Sequence, residues 1–257
     1  MFVSSASATD TGLRRSINED SLLVRDDLGF FLVADGLGGH AAGEVASRTA
    51  VDGLVKFIEA TRVGPSEQTW PVPFDPQQSM NANRLRAGFQ MGNQLIARQI
   101  ASSSELRGMS TTAVAVLLDE DATTGTLAHV GDSRAYMFHE GRLEQLTRDH
   151  SWVEEQIQLG TLTESAALQH PWRNVVTRAM SGTEDLEVDL KEVSLEPGNR
   201  LLLCSDGLSS VLSDEEIADR LRRESDLSDA CRSLIQGAND GGGPDNVTVI
   251  VLDIHAR

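Results

Sequence analysis

Three times in this chain an apolar run suited to a β-strand ends on an aspartate beside glycine or serine. Phe30–Ala34 runs into Asp35-Gly36, Thr126–Val130 into Gly131-Asp132-Ser133, and Arg200–Cys204 into Ser205-Asp206-Gly207. Twice the order is reversed: Asn18-Glu19-Asp20 precedes the run at Ser21, and Gly243-Pro244-Asp245-Asn246 leads into Asn246–Leu252. One such aspartate is an ordinary turn former or helix cap, because its side chain bonds nearby backbone N–H groups. Five such sites on strands that share one sheet system crowd several carboxylates together, and their repulsion has to be relieved by protonation or by cations. An oxygen-only ligand set selects a hard ion, Mg2+ or Mn2+. The six histidines (40, 129, 139, 150, 170 and 255) show no HExxH or paired ligand spacing, which counts against zinc.

The remaining pattern supplies the scaffold. Ser21–Arg25, a turn at Asp26–Gly29 and Phe30–Ala34 predict a hairpin, and Thr112–Leu118, Arg134–Phe138 and Leu143–Leu146 add further strands. Arg200–Cys204 and Asn246–Leu252 are apolar enough to be central strands covered on both faces. Glu44–Glu59 and a segment carrying Leu85, Phe89, Gly92, Ile96 and Ile100 have helical spacing. Ser213-Asp214-Glu215-Glu216 reads as a capping box opening a helix through Arg223, and Ser228–Gly237 as a further helix. Paired helices between blocks of strands, without βαβ alternation, predict an α+β fold: two antiparallel sheets with helices outside them.

Composition narrows the function classes. With 22 Lys+Arg against 39 Asp+Glu the net charge is −17, which argues against nucleic acid and anionic membrane as partners. Cys204 and Cys231 form neither a disulfide framework nor a CxxC pair. No secretory signal is visible at the N-terminus and no apolar run approaches membrane length, so a cytoplasmic protein is expected. The stretch Asp35-Gly36-Leu37-Gly38-Gly39-His40 lets the chain turn sharply beside an ion. It lacks the third glycine of a dinucleotide loop, whose place is taken by Ala41. A Pro-rich insertion at about 64–76, with an exposed-looking Trp70, interrupts the order before the second helix and reads as a surface loop or a docking element. A single domain over 1–257 is expected.

In order along the chain, Arg15-x-x-Asn18-Glu19-Asp20, Asp35-Gly36-Leu37-Gly38-Gly39-His40-x-x-Gly43-Glu44, Gly131-Asp132-Ser133-Arg134, Ser205-Asp206-Gly207 and Gly243-Pro244-Asp245-Asn246-Val247-Thr248 resemble the PP2C (PPM) family of metal-dependent Ser/Thr protein phosphatases, in its bacterial branch. The resemblance implies an α-β-β-α four-layer sandwich with two Mn2+ or Mg2+ ions at one end and a possible third. It implies that Asp35 bridges two metals, that Gly36 offers its carbonyl, and that Asp206 and Asp245 complete the pair. Glu19 and Asp20 then hold metal-bound waters or ligate directly, Asp132 shares a third metal with Asp206, and Arg15 grips the substrate phosphate. The implied reaction is direct in-line attack on a phosphoSer or phosphoThr monoester by water bridging the two ions. No Cys-x5-Arg element is present to suggest cysteine chemistry.

Animal members of the family have a His directly after the Asp-Gly pair, where this chain has Leu37; His40 is the candidate general acid. Residues 147–182 resemble the mobile flap subdomain of bacterial members, with helical character at Ser151–Leu159, a hinge at Ser181-Gly182, and Trp172 as either a contact or a buried residue. The implied partner is a phosphorylated protein, a Ser/Thr kinase or its forkhead-associated scaffold. The Pro-rich insertion is similar to phosphatases encoded with type VI secretion machinery. A monomer is expected. The alternatives are a weak or inactive regulatory module of the same fold and a phosphatase of a small phosphorylated metabolite.

Overall fold

The computed structural model describes residues 1–38, 42–62 and 69–257. One antiparallel sheet has the order β1 (Phe2–Asp10), β11 (Val247–His255), β10 (Arg200–Cys204), β7 (Arg134–His139), β8 (Arg142–Gln145). The other has the order β2 (Asp20–Arg25), β3 (Phe30–Leu37), β5 (Ala113–Leu118), β6 (Thr124–Val130), β9 (Asp189–Ser194), with the two-residue β4 (Ser110–Thr111) extending the edge of β3 beyond β5.

Strand alternation builds the layers, since successive side chains face opposite ways. On β3, Phe31 and Val33 point to the second sheet and meet Leu201, Leu203, Ile250 and Leu252 in an inter-sheet core. Phe30 and Leu32 point outward, against Leu54 and Ile58 of α1 (Ala42–Arg62) and Phe89 and Ile96 of α2 (Met80–Ser102). On β10, Leu202 and Cys204 likewise face Ile217 and Leu221 of α6 (Asp214–Arg223) and Leu234 of α7 (Leu227–Asp240). Three apolar cores between four layers give the expected α+β sandwich. The capping box forms: the Ser213 hydroxyl accepts from the Glu216 N–H at 3.3 Å, while the Ser213 N–H donates to the Glu216 carboxylate at 2.9 Å.

Several expectations change. The helix expected to close on Gly237 continues to Asp240 and is capped at Gly241. Strand β3 does not stop at Ala34, because Gly36 and Leu37 pair with β4. Trp70 is half-buried, edge-to-face on Phe57 with ring centroids 5.3 Å apart, and Phe74 packs edge-on against it. Backbone at Asp75 exchanges two 2.8 Å hydrogen bonds with the Asn83 amide, so this part of the insertion is stitched to α2. Residues 63–68 of the insertion lie outside the described part. Between β8 and β9 the chain forms α3 (Trp152–Gln158) and α4 (Glu164–Ala167) and returns by bridges Ser151↔Val176 and Thr111↔Met180. At Ser181-Gly182, the expected hinge, the Gly182 N–H donates to Asn93 Oδ1 at 2.7 Å, and a Cβ there would meet the α2 backbone at Ala97 at 2.8 Å. Trp172 is 54 % exposed rather than buried. Among the described residues no helix is long and apolar enough to cross a membrane.

Candidate metal centre

At one end of the sandwich, where β3, β6 and β10 finish and β2 and β11 begin, the aspartates converge. Asp20 and Asp35 are direct partners across the β2–β3 ladder. Asp206 follows β10 and opens a single helical turn, α5 (Asp206–Ser209), while Asp245 stands just before β11 and Asp132 just after β6. Glu19 and Asp132 are buried.

A set of neutral side chains ties these turns to one another. Ser205 donates its hydroxyl to Asp20 Oδ2 at 2.8 Å and accepts the Thr248 N–H at 3.0 Å. Asn246 accepts the Glu19 N–H at 2.8 Å and donates to the carbonyls of Thr11 and Ile17, each at 2.9 Å. Thr112 donates its backbone N–H to the Asp35 carbonyl at 2.9 Å, and its hydroxyl lies 2.7 Å from that of Ser133. Gly36 admits no substitute: a Cβ there would lie 2.2 Å from the Gly43 carbonyl oxygen at the start of α1. None of these supporting roles is visible from sequence spacing, although Ser205 and Asn246 adjoin the aspartates they serve.

The electrostatics are those of a site with too much negative charge. Burial pushes the Asp35 carboxyl well above its ordinary range, and the charges of Asp20, Asp206 and Asp132 push it further. Asp20 is raised to about 7 by burial, with hydrogen bonds from Thr248 and Ser205 acting the other way and the charges of Asp206 and Asp245 adding to the rise. Asp132 also reaches about 7, from burial and then the charge of Asp206. Asp206 is raised by burial and by Asp245. Glu19 Oε1, Asp20 Oδ1 and Asp206 Oδ1 are buried with no hydrogen-bond partner among the described residues. Orphaned acceptors in a crowd of carboxylates fit a divalent cation, which supplies the charge and coordination they lack.

Arg15 reaches the same place. It donates to Asp245 Oδ2 at 2.8 Å and lies 3.9 Å from Glu19, while 47 % of its side chain remains exposed. His40, the candidate acid, lies outside the described residues. The structure therefore brings Glu19, Asp20, Asp35, Gly36, Asp132, Asp206, Asp245 and Arg15 to one end of the sheets. Burial pushes the Cys204 thiol up to about 12 and Cys231 to about 11, which removes both as nucleophiles.

A second group was not anticipated: His129, His150 and Asp189 have ligand atoms within 4.8 Å of one another, beside the turn that carries Asp132. A cavity of about 430 Å3 lies at the opposite end of the sandwich, lined by Arg200, Asn199, Leu221 and Asp253, away from the carboxylates.

The sequence profile described as Protein phosphatase 2C matches residues 13–246. The serine/threonine protein phosphatase PstP of Mycobacterium tuberculosis is 38 % identical over 249 residues, covering 97 % of this chain and 44 % of that protein. Its crystal structure superposes with a TM-score of 0.87 at 36 % identity, over 100 % of both chains. A PstP catalytic domain in complex with 2 manganese ions superposes with a TM-score of 0.83 at 35 % identity, over 99 % of both. The serine/threonine phosphatase stp of Listeria welshimeri is 36 % identical over 251 residues, 95 % of this chain and 93 % of its own. PppA, a key regulatory component of T6SS in Pseudomonas aeruginosa, gives a TM-score of 0.80 at 33 % identity over 98 % of both. The chain thus spans less than half the length of the mycobacterial relative and nearly all of the Listeria one.

Proposed function

The chain belongs to the protein phosphatase 2C family, and from that premise we propose that it is a metal-dependent protein serine/threonine phosphatase that hydrolyses phosphoSer and phosphoThr monoesters. The observation that carries the reading is the group of buried carboxylates, raised toward neutrality and holding three orphaned oxygens. Asp35, the Gly36 carbonyl, Asp206 and Asp245 would hold two Mn2+ or Mg2+ ions, with Glu19 and Asp20 beside them and Asp132 with Asp206 toward a third. When bound, such ions acidify water and offset charge on the phosphoryl oxygens.

The chain's own residues do the rest. Arg15, anchored on one side by Asp245, presents the remaining face of its guanidinium to phosphate oxygens, which a planar fork matches. Ser205, Asn246 and Thr112 hold the carboxylates in register, so little reorganisation accompanies the reaction. In the overall reaction water oxygen bonds to phosphorus, the bond to the Ser or Thr oxygen breaks, and that oxygen takes a proton. The full carboxylate set leaves the inactive-module alternative without an observation in its favour.

We read residues 1–257 as one catalytic unit, with the segment about 147–182 as a flap beside the site, acting as a monomer in the cytoplasm on a Ser/Thr kinase or its forkhead-associated scaffold. Two free buried cysteines agree with a reducing compartment. The likeness to PppA, a key regulatory component of T6SS, supports a secretion-associated role. The test is Mn2+-dependent hydrolysis of p-nitrophenyl phosphate and a phosphothreonine peptide. Turnover is expected with Mn2+ and lost in EDTA; undiminished turnover in EDTA overturns the reading.

A further inference from the structure

The flap and the acidic end of the sheets meet at one imidazole. His150 stands where the chain leaves the sheet for the flap, and its carbonyl accepts the Thr177 N–H at 2.8 Å where the flap returns. Its own N–H donates to the Gly131 carbonyl at 3.0 Å, and its ring Nδ1 accepts the Gly131 N–H at 3.0 Å. Both polar groups of the glycine that precedes Asp132 are therefore taken by one residue. Gly131 adopts φ +106°, and a Cβ there would lie 2.5 Å from the Thr112 side chain, so the turn has no slack of its own.

The other edge of the ring is held from the flap side. Nε2 lies 3.4 Å from Asp189 Oδ2, and Arg178 bonds Asp189 Oδ1 at 2.7 Å while lying 3.2 Å from the same Nε2. His129 stacks on the ring with centroids 4.7 Å apart and an interplanar angle of 13°, its Nε2 bonding the Arg148 carbonyl at 2.7 Å. Because Nδ1 receives a backbone N–H, the neutral ring carries its proton on Nε2, facing Asp189. That tautomer has no lone pair to offer a cation between His129, His150 and Asp189, so the spacing of this group reflects an oriented imidazole and not a third ligand set. Burial, then His129 and Arg178, also hold His150 below its ordinary range, in keeping with a neutral ring.

We propose that His150 is a positioning residue: through Nδ1 and its backbone N–H it fixes the Gly131 peptide and so aims the Asp132 carboxylate into the acidic cluster, with Asp189 facing the Nε2 proton and Arg178 holding Asp189 in place. This rests on the reading of Asp132 as a cation ligand. Outer groups that orient a ligand in this way typically change metal affinity by about 10- to 100-fold when removed.

Manganese titration of the full chain by calorimetry separates the possibilities. Asp132→Asn is expected to abolish the weakest Mn2+ binding event. His150→Phe keeps the ring on His129 but removes both nitrogens, and is expected to weaken that event about tenfold or more. His150→Gln, whose amide sits at the ε position, behaves as His150→Phe. His150→Asn restores an acceptor at the δ position and recovers most of the affinity. Equal losses in His150→Asn and His150→Phe, or no loss in His150→Phe beside a clear loss in Asp132→Asn, overturn the positioning role. An Asp132→Asn titration identical to wild type instead overturns Asp132 as a ligand, and the inference falls with it. Long-range 1H–15N spectra of the wild-type chain at neutral pH test the same point without relying on a variant's folding. They are expected to show His150 protonated at Nε2 only; a proton on Nδ1 overturns the proposal.

Discussion

The two ends of strand β10 treat buried charge in opposite ways. At its start, Arg200 is almost wholly buried, yet its guanidinium is complete: it bonds both Asp253 oxygens at 2.6 and 2.8 Å and the carbonyls of Leu221, Glu224 and Ser225. Just past its other end, Asp206 is set among Asp35, Asp245 and Asp132 with one oxygen lacking any partner among the described residues. One end closes its own electrostatics and the other leaves them open. Charge that serves the fold is neutralised within the chain, whereas charge that serves a reaction waits for something from outside it.

The contrast breaks most visibly by removing charge from each end in turn. Asp206→Asn is expected to reduce Mn2+-dependent phosphatase activity to background while raising the melting temperature of the metal-free protein, because it deletes an unrelieved buried charge. A metal-free Asp206→Asn protein that melts below metal-free wild type contradicts this. Arg200→Met is expected to do the reverse. Leaving Asp253 unpaired costs about 3–5 kcal/mol, seen as a lower denaturant midpoint, while Mn2+ affinity and turnover of the folded fraction stay at wild-type values.

Arg15→Ala is expected to lower kcat/KM for a phosphothreonine peptide by about 10^2- to 10^3-fold, the range for losing one preorganised donor to a developing anion. Arg15→Lys recovers only part of it, because the fork is lost. A melting temperature unchanged in both variants, checked by calorimetry, separates this from a folding defect.

The most gradual effect is in pH. Asp20 and Asp132 keep their protons in the folded metal-free chain up to about 7, whereas an unfolded aspartate releases its proton near 3.8. Stability from these groups is therefore fully present below 3.8 and is lost as pH rises through about 7. Burial holds His129 and His150 below 6.5, so as pH falls through 6.5 they act in the opposite sense, with or without metal. The gap in unfolding free energy between Mn2+-loaded and EDTA-treated protein, read from urea titrations, cancels that contribution, and is expected to widen from pH 5 to pH 8 by an amount on the order of a few kcal/mol. A gap independent of pH contradicts the assignment.

What the sequence revealed follows the same division. Strands β3, β5, β6, β10 and β11 were legible because burial on both faces demands unbroken apolar runs, and the aspartates were legible because they end those runs. Strand β1 was missed: FVSSASATD lies at a sheet edge, held to β11 by backbone pairing over nine residues, and pairing of that kind leaves no side-chain pattern. Strand β9, DLKEVS, is the edge of the other sheet and was missed for the same reason. The candidate ligands could be named from their motifs, but not the pairing of Arg15 with Asp245, nor the contact between His150 and Gly131, 19 residues apart. These depend on how turns from different strands meet, and sequence spacing carries no record of that. The seat of Trp70 on Phe57 is a third case, where a residue in a polar loop finds a helix face only in three dimensions.

The central claim is that the carboxylate cluster is an unfinished cation site. Crystals of the full chain grown with Mn2+, with diffraction recorded at the manganese absorption edge, test it most directly. The account predicts anomalous peaks coordinated by Asp35, the Gly36 carbonyl, Asp206 and Asp245. Peaks confined to the group of His129, His150 and Asp189, or no peak among the aspartates at saturating Mn2+, would contradict it.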